Sequence, residues 1–150
     1  MAVSFETSIT QPGPELDHMS TYSVILYSDN PKTRAAMHGA LGDRPADDVE
    51  IEYLEASGYD EIIRYIDTFE IDLVLLDGEA QPAGGMGVSR QMQDEFEDPP
   101  TTCLVIKRAA DRWLAAWSRT DAVLVHPLDP LNTASVIVDL LRARRALVKP

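Results

Sequence analysis

From residue 22 onward, short apolar runs alternate with stretches in which apolar residues recur at every third or fourth position. The runs are Val24 to Tyr27, Val49 to Leu54, Leu73 to Leu76, Cys103 to Ile106 and Ala122 to Val125. Alternation of this kind predicts βα units and a parallel sheet. Four of the runs are continuously apolar, as strands covered by helices on both faces are expected to be. In Val49-Glu50-Ile51-Glu52-Tyr53 apolar and acidic residues alternate strictly, which predicts one wet face and a place at the sheet edge. Five such units with an edge second strand predict a single doubly wound, flavodoxin-like α/β domain with strand order 2-1-3-4-5.

The helices have legible starts. Asn30 is placed to cap the first, with Pro31 at its first position. Ser57 is expected to cap the second, whose inward face would be Ile62, Ile63, Ile66 and Phe69. Further helices are expected over 86–96, 110–118 and 130–146. Trp113 and Trp117, four apart, share a face of the fourth helix, and a buried core pair is one reading. The other puts Trp113 and Ala116 on the inward stripe and leaves Trp117 near the surface, a candidate partner-binding anchor. Arg142, Arg144 and Arg145 end the last helix, where a solvated, dipole-matched terminus is expected. Gly84-Gly85-Met86-Gly87 fits neither the dinucleotide nor the P-loop spacing and reads as a flexible connection rather than a phosphate cradle. Residues 1–20 lack periodicity and read as a disordered or non-native tail, so the domain is expected over 21–148.

Composition narrows the function classes. The 150 residues are 45% hydrophobic, enough for one core, and carry a formal net charge of -12. Such an acidic chain is a poor binder of nucleic acid, which is held by Lys and Arg on phosphates. The single cysteine, Cys103, lies in an apolar run, and no Cys or His spacing suggests zinc. No apolar run approaches the ~18 residues of a membrane span. A soluble, cytoplasmic protein with no membrane insertion is the expectation.

In a flavodoxin-like order ligands bind beyond the C-terminal strand ends, at the switch between the first and third strands. Those ends read Ser28-Asp29-Asn30, Asp77-Gly78-Glu79, Lys107-Arg108 and His126-Pro127. Asp77 should lie between Asp29 and Lys107, each on a strand roughly 5 Å away. Two carboxylates that close call for a cation, supplied by a divalent metal or by Lys107 itself. A plain ion network of Asp29, Asp77 and Lys107 is the competing, purely structural reading. His126 reads as a hydrogen-bonded structural histidine or as a source of pH sensitivity, and its bond to Pro127 is a candidate cis peptide.

Three stretches in order carry a resemblance: Val24-Ile-Leu-Tyr-Ser-Asp-Asn-Pro31, Asp72-Leu-Val-Leu-Leu-Asp77 and Asp121-Ala-Val-Leu-Val-His-Pro127. Together they resemble the first, third and fifth strands of the CheY-like response-regulator receiver domain over about residues 22–147. The resemblance implies that Asp77 is the phosphoacceptor position. It also implies that Asp29, Asp77 and the Glu79 carbonyl are the candidate Mg2+ ligands. It equally marks departures. Ser28 stands in place of a second acid, Lys107 in place of a hydroxyl residue, Val123 in place of an aromatic, and His126 in place of a lysine. The proline after Asp77 falls one residue late, and the stretch between Lys107 and His126 is short by about a helical turn, so the fourth helix should be reshaped.

The resemblance therefore implies an atypical receiver that is not an enzyme and acts in phosphorelay-type signalling by contact with a regulated partner protein. Conventional phosphorylation-driven switching is not expected. The alternative is a Mg2+-dependent phosphoacceptor modified at Asp77 by a histidine kinase, and a homodimer is left open. A flavodoxin-like or aspartyl-phosphatase-like enzyme is the third reading. Against it, the first βα connection has no Gly-rich phosphate loop, and Asp77-Gly78-Glu79 lacks a second aspartate two residues on.

Overall fold

A computed structural model describes residues 19–80 and 84–148. The chain runs β1 (Ser20–Tyr27), α1 (Pro31–Leu41), β2 (Val49–Ala56), α2 (Tyr59–Thr68), β3 (Leu73–Asp77) and α3 (Gly85–Glu95). It continues through β4 (Thr101–Ile106), a 3-10 turn (Ala109–Asp111), α4 (Trp113–Ser118), β5 (Ala122–Val125) and α5 (Pro130–Val148). The five strands among the described residues are parallel, in the order β2-β1-β3-β4-β5, as the periodicity predicts. The expected tail lies outside the described residues as far as residue 18, as does Pro82. β1 starts earlier than its apolar run because Ser20 to Ser23 pair with Val49 to Glu52.

Strand side chains alternate between two apolar layers. On one face Leu73, Leu75, Cys103 and Val105 meet Met37 and Leu41 of α1 and Ile137 and Leu141 of α5. On the other Val74, Leu76, Leu104 and Ile106 meet Ile62 of α2 and Val88 and Met92 of α3. All are buried, and each large aliphatic contributes about 1.5–3 kcal/mol by leaving water. Glu50 and Glu52 are exposed on β2 at one sheet margin, and the other margin is the four-residue β5.

Asn30 caps α1, its side chain accepting the Lys32 N–H at 2.9 Å, with Pro31 at the first helical position. Ser57 does not cap α2. Gly58 holds the cap position, and Ser57 donates its N–H and hydroxyl to Glu61 Oε1 at 2.7 and 2.9 Å. Glu61 thus reaches back from the first turn, and those bonds hold its carboxyl below the usual range. Phe69 falls just past the helix and is 51% exposed rather than inward.

The fourth helical segment departs furthest from expectation. It opens as the 3-10 turn, and only Trp113–Ser118 is α-helical. A turn of three residues advances each side chain further round the axis than an α-turn does, so the inward face shifts. Ser118 is buried, Leu114 and Ala115 are half-buried, and Ala116 faces out. Trp113 is 67% and Trp117 51% exposed, which corrects both the core pairing and the inward placement of Trp113. The segment is fastened by the buried Ser89 hydroxyl, which donates to the Ser118 carbonyl at 2.8 Å.

The arginines of α5 are not a free solvated end. Arg142 makes two hydrogen bonds to Asp48, and Arg144 donates to the Pro99 carbonyl at 3.1 Å. Arg145 donates to the Thr21 carbonyl at 3.0 Å and to Asp72 at 3.2 Å while lying 4.2 Å from the Tyr22 ring centre. They tie the helix to the N-terminal ends of the strands. Earlier in α5, Thr133 is buried and its hydroxyl has no hydrogen-bond partner among the described residues. No helix among the described residues is long and apolar enough to cross a membrane.

Candidate functional site

At the C-terminal strand ends a cleft of about 310 Å³ is lined by Asp29, Asn30, Thr33, Asp77, Glu79, Lys107 and His126. The β1 and β3 ends meet there because the two strands are neighbours in register from Val24 and Leu73 to Tyr27 and Leu76. Ser28 and Asp77 each lie one residue beyond those last partners. Both are buried, Asp77 at 5% exposure.

The Asp77 carboxylate is held by two donors. The Ser28 hydroxyl reaches Oδ2 at 2.7 Å, and the Glu79 N–H reaches Oδ1 at 2.9 Å. Charge-assisted bonds of this kind satisfy a buried carboxylate without a cation. Ser28 is itself fixed: its Oγ accepts the Asn30 N–H at 3.1 Å, and its carbonyl accepts from Arg34 at 2.6 Å. Arg34 also pairs with Glu55 on β2 at 2.7 Å. Beneath lies Tyr27, fully buried; burial first, then the negative charges of Asp29 and Asp77, raise its pKa.

The other candidate residues are less engaged. Asp29 and Lys107 are exposed on the cleft, and Lys107 forms no ion pair within 4.0 Å among the described residues. The competing reading of a plain Asp29–Asp77–Lys107 ion network is not what the geometry shows: the partners of the Asp77 carboxylate are Ser28 and Glu79. His126 is half-buried, and its backbone N–H donates to the Ile106 carbonyl at 2.8 Å. Its ring makes no hydrogen bond among the described residues, contrary to the structural-histidine expectation, and the bond to Pro127 is cis. Val123 is half-buried and packs into the α2–α3 apolar layer, away from the cleft.

The candidate metal ligands Asp29, Asp77 and Glu79 all reach one cleft. No group of three or more His, Cys, Asp or Glu among the described residues could hold a metal ion. Ser28 contributes a neutral hydroxyl that donates to Asp77 Oδ2.

The glycines of the β3–α3 connection serve close approach rather than flexibility. A Cβ on Gly85 would lie 2.7 Å from the Asp77 carbonyl oxygen, and one on Gly84 3.1 Å from that of Gly78. Gly84 has φ -68, so its backbone angle is ordinary. Sequence reasoning missed this contact, the Arg34 brace and Thr33 on the cleft. The Asn30-Pro31 helix start offered a signal for Thr33, since it sets a first turn directly above the strand end.

No family model matches the chain. Over 128 residues it is 40% identical to proteins of Mycobacterium tuberculosis strains CDC 1551 and H37Rv named as uncharacterized response regulatory proteins. The match spans 85% of this chain and 96% of theirs. Among solved structures, it resembles the signal receiver domain of an HD domain-containing protein from Pseudomonas fluorescens Pf-5. That match has a TM-score of 0.69 at 13% identity and covers 85% of this chain and 92% of the other. A CheY-like response regulator receiver domain protein from Methanospirillum hungatei JF-1 gives a TM-score of 0.65 at 16% identity, covering 85% and 98%.

Proposed function

The chain belongs to the response-regulator family and folds as a receiver domain, and from that premise we propose that it signals by docking on a partner protein in a state independent of phosphorylation at Asp77. The observation that carries this reading is the Ser28 hydroxyl on Asp77 Oδ2. With one donor on each oxygen, the buried carboxylate is stabilised without a metal. Val123 packing in the apolar layer and Lys107 standing in solvent support the same reading, because phosphorylation would lack a bistable element to bias. The protein acts in the cytoplasm as a non-enzymatic component of phosphorelay-type signalling.

Intact-mass measurement after exposure to acetyl phosphate and magnesium, beside an ordinary receiver labelled in parallel, is the test. The expected result is no mass gain, with partner crosslinking in source cells unchanged by Asp77→Asn. An acyl phosphate at Asp77 that alters partner binding would overturn the proposal. It would favour a second reading, in which a histidine kinase phosphorylates Asp77; the cleft that brings Asp77 beside Lys107 and His126 supports that alternative.

A further inference from the structure

Between α3 and α4 lies an apolar groove of about 420 Å³, lined by Gly84, Met86, Gly87, Trp113, Leu114 and Trp117. Two tryptophans in solvent on a six-residue helix are an unusual expense of apolar surface. Trp117 is also held in place. The Arg90 guanidinium sits 4.9 Å from its ring centre and donates to its carbonyl at 2.9 Å, so the ring is pre-set rather than free to fold away.

The charge beside the groove runs against the charge of the protein. The chain as a whole is at -12, yet residues 107–119 hold Lys107, Arg108, Arg112 and Arg119 against the one carboxylate of Asp111. Arg108 pairs with Asp111 and Arg119 with Asp94. Lys107 and Arg112 are exposed and have no ion pair within 4.0 Å among the described residues. An acidic segment is disfavoured by the net charge of the protein and favoured beside exposed cations that have no carboxylate of their own.

We propose that the α3–α4 groove docks an acidic segment of a partner protein. The segment seats one bulky apolar side chain against Met86, Trp113 and Trp117 and sets its carboxylates toward Arg112, the neighbour of Trp113 in the chain. This rests on the docking reading above and adds to it the surface and the chemistry of what it binds.

The test is selection of a displayed library of random peptides of about a dozen residues on the full chain, followed by titration of the enriched peptides. The expected peptides carry Trp, Phe or Leu flanked by Asp or Glu. Their affinity should fall at least about tenfold in Trp117→Ala, fall again in the charge reversal Arg112→Glu, and weaken with added salt. Circular dichroism of both variants controls for folding. Failure to enrich any peptide, enrichment of neutral or basic peptides, or binding by both variants as tight as that of the natural chain overturns the surface assignment and leaves the docking function standing. Self-association of the free chain that Trp117→Ala abolishes also overturns it, by naming a second copy as occupant. Binding that requires acetyl phosphate and is lost in Asp77→Asn would instead overturn the phosphorylation-independent function, whichever surface is used.

Discussion

The hydroxyl of Ser28 donates to Oδ2 of Asp77 at 2.7 Å across 49 positions of sequence, with both residues buried. It supplies with a neutral group what a buried carboxylate otherwise takes from a cation. Removing it in Ser28→Ala should leave Oδ2 unpaired and cost about 1.5–3 kcal/mol, the range for hydrogen bonds to charged groups. Urea denaturation measures this, and a loss near zero would mean that the bond is replaced by water.

Ser28→Asp should behave differently. It sets a second negative charge against Asp77, so the variant is expected to melt lower in chelator and to recover with magnesium. The natural chain should show no magnesium-dependent change in Tm; a rise of several degrees would contradict the self-contained site.

Gly85→Ala places a methyl 2.7 Å from the Asp77 carbonyl oxygen and 2.9 Å from Leu76 Cβ, neither of which can swing aside. Overpacking of this kind is expected to cost about 1–3 kcal/mol. Gly87→Ala, with nothing within 4 Å of the new Cβ, should instead gain up to about 1 kcal/mol in helix propensity. The opposite signs, read from the two denaturation midpoints, separate close approach from flexibility.

The Arg142 side chain holds the Asp48 carboxyl below its usual range. A depressed folded-state value means that the pair stabilises above the unfolded value and loses its contribution as pH falls through the folded one. The Tm difference between the natural chain and Arg142→Ala should therefore be present at pH 7, small because the pair is at the surface, and should shrink as pH drops below about 4. A difference unchanged at low pH would assign it to packing.

Thr133→Val removes the buried hydroxyl that lacks a partner and keeps the shape. Stability should rise by about 1 kcal/mol. A loss of similar size would reveal a bound water at Thr133.

The legible parts of this fold are those governed by local periodicity. Strict alternation at Val49 to Tyr53 placed β2 at the margin, and Asn30-Pro31 marked α1, because both signals lie within a few residues. The rotation of α4 was not legible, since three residues of 3-10 turn before it change the phase of every side chain after it. The duties of Arg142 and Arg145 were hidden for another reason: their partners lie 94 and 73 positions away, and helix-end rules see only the helix. At the site, sequence put Ser28, Asp29, Asp77 and Lys107 at strand ends, but which of them touches Asp77 depends on side-chain reach across strands.

The two margins of the sheet bear on crowding. A strand added to β2 by another copy would bring Glu50 and Glu52 within reach of like charges, and β5 offers only four residues of backbone to copy. Both are ways in which natural sheets resist edge-to-edge growth. Growth of the sheet by addition of a second copy is therefore disfavoured at both of its margins, by charge at one and by shortness at the other.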